Sequence, residues 1–573
     1  MIITKGVNVM ISEIQPAMEV HGQNRQLKDW SQIDWQQCWK VVNNLRRRIF
    51  RARQLGQWKQ LRRLQKLLNK SYANLLLAVR QITQVNQGKK TAGIDEEVIF
   101  DPAERVKLVN SWVEEKKPSP TRRIYIPKPN GKKRPLSIPT VRDRVAQAIV
   151  KNSLEPEWEA VFEAHSYGFR PGRGCHDSIA QCFLRFRGGG GKYSCNDEWV
   201  LDADIKGFFD NLAHETILKA IDTYPSREII KEWLKAGYIH QGRLNPTDAG
   251  TPQGGVISPL LANIGLHGLQ NYIDKCNSKL GFIRYADDFL ITAKTKEELE
   301  QVLPKVKEWM SQRGLEISDE KTKLVHISKG FNYLGYNIRQ YNGKLLIKPQ
   351  KEKVLAFCKR LGEIIKNHKT VTQEVLIGKL NSVLRGFANY YRNGVSKETF
   401  SYISNRLWQY LWMWAKRRHP NKNKRWIKNK YFRTLKGKTQ GTYKQWLFAC
   451  NTTDRKGKEK LLKLYDTAST QIIRHTKVAG TNSPDDPKLL GYWEKRYAGI
   501  TNKSWAKGSK YHKVAKNQDW KCPVCNQSLS NGEPIHTHHI IPVKDGGTDD
   551  TENLVHLHES CHIQVHSKTK LKA

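Results

Sequence analysis

The sequence predicts a multidomain α+β protein, and three observations carry that expectation. At about 150 residues per domain, 573 residues leave room for three or four separate cores. The hydrophobic period also changes along the chain. Apolar positions recur at helical intervals before residue 96, strand and helix patterns alternate from there to about residue 348, and the composition changes beyond it. Last, a compact run of cysteines and histidines occupies the C-terminal end, a pattern that small metal-stapled folds use. The expected divisions are 1–95, 96–348, 349–415, 416–510 and 511–573.

Charge bounds the function. The chain carries 98 Lys+Arg against 54 Asp+Glu, a formal +44 with a pI near 9.8. A compact fold with that excess repels itself unless a polyanion supplies counter-charge, and nucleic acid is the obvious partner. No apolar run approaches 18 residues and mean hydropathy is −0.65, so no membrane span or membrane partner is expected. The first residues lack the apolar segment of a secretion signal, which predicts a cytoplasmic protein. Seven of ten cysteines are scattered, which fits a reducing compartment.

Between Asp34 and Asp95 there is no acid, and Leu45, Ile49, Ala52, Trp58, Leu61, Leu64 and Leu68 recur at helical steps among many arginines. This predicts a helical hairpin broken near Gly56 whose outer face, including Arg46, Arg47 and Arg51, meets nucleic acid. Residues 122–139 place Asn130-Gly131 between β-rich runs, a hairpin signal, and their prolines confine it to a sheet edge. Four glycines at 188–191 precede an expected strand, Trp199 to Ile205, that carries Asp202 and Asp204. From Glu398 to Asp454 acids are again absent, while Lys422, Lys424, Arg425 and Lys428 crowd around Trp408, Trp412, Trp414 and Trp426. Such interleaving neutralises phosphates and stacks on bases. Residues 480–487, rich in Gly, Pro, Asp and Ser, read as a linker.

Two carboxylate sources suggest phosphoryl transfer. Two-metal chemistry needs carboxylates from separate strands on ions about 3.5–4 Å apart. Asp202 and Asp204 share one strand face by the period of two, and Asp287-Asp288 occupy a tight turn between apolar runs, costly to bury without a cation. The segments DIKGFFD, TPQGGVISPLL, YADD and GLEISDEKTK, in that order, resemble successive motifs of a reverse transcriptase. SYGFRPGRG (166–174) and FNYLGYNI (331–338) narrow the resemblance to the proteins encoded by bacterial group II introns. The resemblance implies a right-hand polymerase with fingers and palm. Asp204, Asp287 and Asp288 would be its metal-binding catalytic carboxylates, and Phe209 would close off the sugar 2′ side. Gln253 and Gly254 would line the nascent base pair, with Lys128 and Arg134 on the incoming triphosphate. Lys321, with Lys323 close by, would protonate pyrophosphate. LRGFANYYRNG (384–394) resembles the maturase or thumb region, which implies an α-helical domain that binds intron RNA.

Cys522-x-x-Cys525 and His558-x-x-Cys561 have the two-plus-two spacing of a structural tetrahedral Zn2+ site. Between them, residues 536–566 resemble the HNH nuclease motif, which implies a small ββα-metal fold. His538, His562 and His566 would hold a catalytic divalent ion, His539 would be the general base, and Asn553 would pin the loop that orients it.

Together these imply a multifunctional protein: RNA-directed DNA polymerase, intron RNA splicing maturase and site-directed DNA endonuclease. Its expected partners are group II intron RNA, target duplex DNA and deoxynucleoside triphosphates, and its ions are Mg2+ at both catalytic sites, with Mn2+ as an alternative at the nuclease site, and Zn2+. Cleavage of one strand would supply the 3′-hydroxyl for target-primed copying. The rival is a non-mobile RNA-binding splicing factor with decayed enzymatic sites, against which the intact YADD and HNH residues count.

Overall fold

The computed structural model describes residues 26–113, 117–127, 131, 133–188, 196–436, 443–453, 459–502, 505, 508–531 and 533–571. The expectations for the N-terminal residues before 26, for residues 189–191, and for Lys128 lie outside that set.

Asp34 opens the first long helix, Trp35–Gln54, by accepting from the Gln37 amide at 3.0 Å. Val42, Leu45, Ile49 and Ala52 fall on one face at three- and four-residue steps and are buried, while Arg48 and Arg51 stay outside. The chain turns near Gly56 into a second helix, Trp58–Asn69, and a third, Tyr72–Arg80, is buried along its length from Ala73. The expected hairpin therefore forms, but not as a separate extension. Its core continues into Val141, Val145, Ala148 and Ile149 of the helix Val141–Glu159, across the boundary expected at residue 95.

Strand β1 (Thr121–Pro127) pairs antiparallel with β2 (Lys133–Ile138), and Pro135 sits on the edge strand as its missing amide requires. Strand β3 (Trp199–Asp204) opens a second sheet, while β4 (Tyr238–His240) and β5 (Arg243–Asn245) extend the first to the order β2-β1-β4-β5. Strands β6 (Gly281–Tyr285), β7 (Asp288–Ala293) and β8 (Lys323–His326) complete the palm sheet in the order β6-β7-β3-β8, all antiparallel. Alternation divides β3 between two cores. Leu201 and Ala203 pack with Phe289 and Ile291 on one side, and Val200 packs with Ile283 and Leu290 on the other. Asp202 and Asp204 follow Val200 on that second face, which changes from apolar to charged toward the end of the strand.

A meander of β9 (Phe331–Tyr333), β10 (Tyr336–Tyr341) and β11 (Lys344–Pro349) leads to the helices Lys351–Asn367, Gln373–Tyr391, Lys397–Arg418 and Lys424–Tyr431. The sheet of β12 (Phe432–Lys436), β13 (Tyr443–Thr453) and β14 (Glu459–Lys463) closes over them. Leu361, Leu380, Leu411, Trp414, Phe448 and Leu464 share one core. The boundary expected at 415/416 therefore cuts through a continuous helix and its core. Trp414 is also corrected: it is 5% exposed and its Nε1 donates to the His368 carbonyl, so it packs inside rather than joining the basic surface.

The segment read as a linker is a docked strap. The Val478 amide and His475 Nε2 reach Asp177 Oδ1 at 2.7 and 3.0 Å, and Arg173 Nη2 donates to the Asn482 carbonyl at 2.9 Å. Trp493 beyond it lies so close to Gly172 that a Cβ there would meet its ring at 2.4 Å. Polar loop residues signal an absence of regular structure; they do not say whether their hydrogen bonds go to water or to protein.

The C-terminal module pairs β15 (Ile535–His539) with β16 (Leu554–His558) and adds the helix Glu559–Leu571, the expected ββα order. The whole is the α+β multidomain fold expected from sequence.

Candidate active sites in the palm and the C-terminal module

The antiparallel register of β3 and β7 sets Asp204 opposite Asp288. Asp287 precedes Asp288 in the two-residue turn from β6, where Ala286 has a φ of 59°. Burial pushes the Asp288 carboxyl up to about 7, with Asp287, Asp204 and Asp202 adding to it, and burial likewise raises Asp287. Lys321 Nζ donates to Asp204 Oδ2 at 2.7 Å, a bond that raises the lysine. Carboxylates crowded until one prefers its proton are a donor set that divalent cations would relieve, so these residues fit metal ions.

Asp202 has a different neighbour. It stands across the sheet from Lys323, and burial, opposed by that lysine, pushes it up to about 6. The two Asp–Lys pairs thus sort themselves: Lys321 with Asp204 beside the YADD turn, Lys323 with Asp202 further back.

The residues expected on the nucleotide side converge as well. Ser137 of β2 donates its amide to the Gln253 carbonyl at 2.6 Å, sewing the hairpin to the TPQGG loop. Gly254, at φ 121°, passes so close that a Cβ would lie 2.6 Å from the Ser137 carbonyl oxygen. Arg134 Nε then donates to Gln253 Oε1 at 3.0 Å, and Gln253 Nε2 to Asp210 Oδ2 at 3.3 Å. Phe209, on the helix Phe208–Asn211, helps line a cavity of about 320 Å³ with Tyr125, Asp210, Gly250 and Pro252. Sequence reasoning gave no role to Phe169, which touches Phe209 edge-on at 6.4 Å from a left-handed φ of 60°. The available signal was an aromatic inside the SYGFRPGRG motif.

In the C-terminal module, β15 and the final helix bring together the rings of His538, His562 and His566, whose centroids lie 4.5 to 5.2 Å apart. One ligand nitrogen from each lies within 4.8 Å of the others. Burial, then the neighbouring imidazoles, lowers His538 to about 4 and burial lowers His562, which keeps lone pairs free for a cation. His539 turns aside: its Nε2 meets Asp549 Oδ1 at 2.7 Å, a partner not foreseen from sequence. Asn553 accepts from the Ile541 amide at 2.8 Å and donates to the Ile541 and Thr548 carbonyls at 3.0 and 2.7 Å, pinning the intervening loop.

Cys522, Cys525, His558 and Cys561 form a second cluster within 4.8 Å, all buried. His558 Nε2 is bonded to the Ser528 carbonyl at 3.1 Å, which leaves Nδ1 toward Cys525 at 3.3 Å. Three thiols and one oriented imidazole are a fitting donor set for tetrahedral zinc.

The basic surfaces divide. Lys422, Lys424 and Arg425 are exposed, and Lys428 Nζ lies 4.8 Å from the centre of the Trp446 ring beside the stacked pair Trp408–Trp412. Arg51 is exposed and Arg47 half-buried. Arg46 is corrected: its guanidinium is spent inside the protein. Nε and Nη2 bind Asp485 at 2.8 and 2.7 Å, and Nη2 also binds Glu155 at 2.9 Å, with 11% of the side chain exposed.

Comparison with known proteins agrees with this geometry. Residues 126–338 match the reverse transcriptase (RNA-dependent DNA polymerase) family, and 30–112 the N-terminal domain of reverse transcriptase. Residues 354–432 match the group II intron maturase-specific domain, and 522–568 the HNH endonuclease family. The chain is 30% identical over 406 residues to the group II intron-encoded protein LtrA of Lactococcus lactis subsp. cremoris, covering 53% of this chain and 66% of that one. The chain belongs to the group II intron-encoded proteins. Within that family it carries reverse transcriptase, maturase-specific and HNH domains in one polypeptide. It is also 33% identical over 258 residues to protein YkfC of Escherichia coli K12, covering 39% of this chain and 67% of YkfC. With a 91 kDa protein in the cob intron of Schizosaccharomyces pombe it shares 27% identity over 358 residues, 48% of this chain and 43% of that one. Among the described residues no helix is long and apolar enough to cross a membrane.

Proposed function

We propose that this protein copies RNA into DNA, assists splicing of its intron RNA and cuts target DNA, acting in the cytoplasm as a ribonucleoprotein with that RNA and gathering at the nucleoid when on DNA. The observation that carries the reading is that one chain holds both the aspartate trio of the palm and the histidine trio of the C-terminal module.

When bound, divalent ions supply Lewis-acid activation and charge neutralisation at both trios, Mg2+ with Mn2+ as an alternative at the second, while Zn2+ at the Cys/His cluster supplies folding energy. In the palm, Arg134 and Lys128 hold the incoming triphosphate, Gln253 and Gly254 line the nascent pair, and Phe209 bars a 2′-hydroxyl. Lys321 Nζ, already charged against Asp204, donates its proton to the departing pyrophosphate. In the nuclease module Asp549 accepts from His539 Nε2–H, which leaves Nδ1 to take the proton of the attacking water and lets the carboxylate stabilise the resulting imidazolium. Lys422, Lys424, Arg425 and Lys428, with Arg47 and Arg51, contact RNA phosphates. A nick by the nuclease module provides the 3′-hydroxyl from which the palm extends.

Two variants on two DNA substrates test this. His539→Ala lowers cutting of an intact duplex by about 10²–10⁴-fold and still extends a pre-nicked one. Asp287→Ala cuts and supports splicing but extends neither. Normal cutting by His539→Ala would remove this histidine as the base, and extension by Asp287→Ala would remove the palm carboxylates as the polymerase site.

A further inference from the structure

The N-terminal helices and the C-terminal module meet at the Cys/His cluster. Arg80, the last residue of the helix Tyr72–Arg80, is 3% exposed. Its Nη2 donates to Cys561 Sγ at 3.1 Å and to Ser560 Oγ at 2.7 Å, and the Glu533 carboxylate lies 3.7 Å away. Its guanidinium carbon sits 4.7 Å from the centre of the Trp35 ring, so an N-terminal aromatic and a C-terminal acid fix its plane. The surroundings are shared in the same way. Cys522, Cys525, Leu529 and Leu557 belong to one apolar cluster with Leu76, Val79 and Ile82. Buried Gln564 donates to the Ser31 and Ile33 carbonyls at 2.6 and 3.0 Å.

A divalent zinc among three thiolates and a neutral imidazole leaves a net negative charge in a site whose ligands are all buried. Such a buried charge needs a fixed cation or donor beside it. Arg80 is that cation, bonded to a ligand sulfur, and it comes from the far end of the sequence.

We propose that the zinc site of the nuclease module is completed from the N-terminal helices, with Arg80 compensating the Cys561 thiolate, so that zinc retention depends on the module staying seated there. Arg80 is a positioning residue in this scheme, and the proposal rests on Cys522, Cys525, His558 and Cys561 being zinc ligands. The nuclease then works from a fixed place relative to the palm rather than from a tether.

The test uses the full chain, with bound zinc measured per polypeptide and its release to a chromogenic chelator followed by absorbance. Wild type is expected to hold one zinc and release it slowly. Arg80→Met, which keeps length and loses charge, should release about 10–100-fold faster, the usual effect of losing an outer partner of a metal ligand. Arg80→Lys should restore part of the difference. Gln564→Ala, which loosens the seat without touching a ligand, should also speed release. Wild-type release from a folded Arg80→Met would overturn the proposal, and if that variant does not fold, wild-type release from both Arg80→Lys and Gln564→Ala would do so. A zinc-free wild type would instead overturn the assignment of the four ligands.

Discussion

Asp288 is held at about 7 by burial and by three neighbouring aspartates, so in metal-free protein its charge opposes folding. Replacing it with asparagine keeps the shape and removes one of the like charges. In chelator, Asp288→Asn should therefore raise the melting temperature by about 2–4 °C while abolishing primer extension. A lowered melting temperature would mean that the carboxylate is held by favourable partners. The structure brings each trio together as the motifs led one to expect, because DIKGFFD and YADD fall on neighbouring strands and HH with HxxxH on a strand and a facing helix. Asp549 was not legible, since nothing in the loop residues between it and His539 fixes where its side chain points. Arg80 was still less legible, lying 481 residues from the sulfur it bonds.

Helices and strands were read from their periods, and those periods survive in the structure. What period cannot reveal is whether a charged or polar segment faces water. The stretch 480–487 read as a linker and the helix face carrying Arg46 as a nucleic-acid surface, yet Asp485 and Arg46 are joined inside the protein, where Arg46 also binds Glu155. Arg46→Ala should accordingly cost about 3–5 kcal/mol of stability by stranding the buried Asp485 carboxylate and leaving Glu155 with Lys151 alone, and leave the salt dependence of RNA binding unchanged. Neutralising Lys422, Lys424, Arg425 and Lys428 together should do the reverse, lowering the log–log salt slope by about 0.7–0.9 for each RNA phosphate that is no longer neutralised. A slope that falls in Arg46→Ala would restore that arginine to the RNA surface. The surroundings of the strap also carry a pH response. Burial, then Lys477 just ahead of the strap and Arg185, lowers His165 to about 4 from an ordinary 6.5. Its unfolded form takes up a proton first as pH falls, so stability is intact above about 6.5 and declines progressively toward 4. Thermal melts between pH 7 and 5 should show that decline, and His165→Gln should flatten it; an equal decline in both would place the acid sensitivity elsewhere.

At the scale of the molecule, a formal +44 says that the protein meets a polyanion but not how its parts are arranged. Composition and motif order were enough to expect reverse transcriptase, maturase and nuclease segments; their mutual packing lay beyond both, because contacts between segments distant in sequence leave no local pattern. The shared core makes a specific demand. Removing residues 511–573 should uncover the face formed by Leu76, Val79 and Ile82, so the truncated protein should bind a hydrophobic dye and melt lower than the whole. Unchanged dye binding and melting would show that the N-terminal helices close without the module.

That shared core also sets a schedule. Arg80 leaves the ribosome 481 residues ahead of Cys561. At about 5–20 residues per second the interval is roughly 24–96 s, during which the helices made first have no partner on one side. Whatever recognises the face from Leu76 to Ile82, a chaperone or a protease, has access to it until residues 511–573 have emerged and docked.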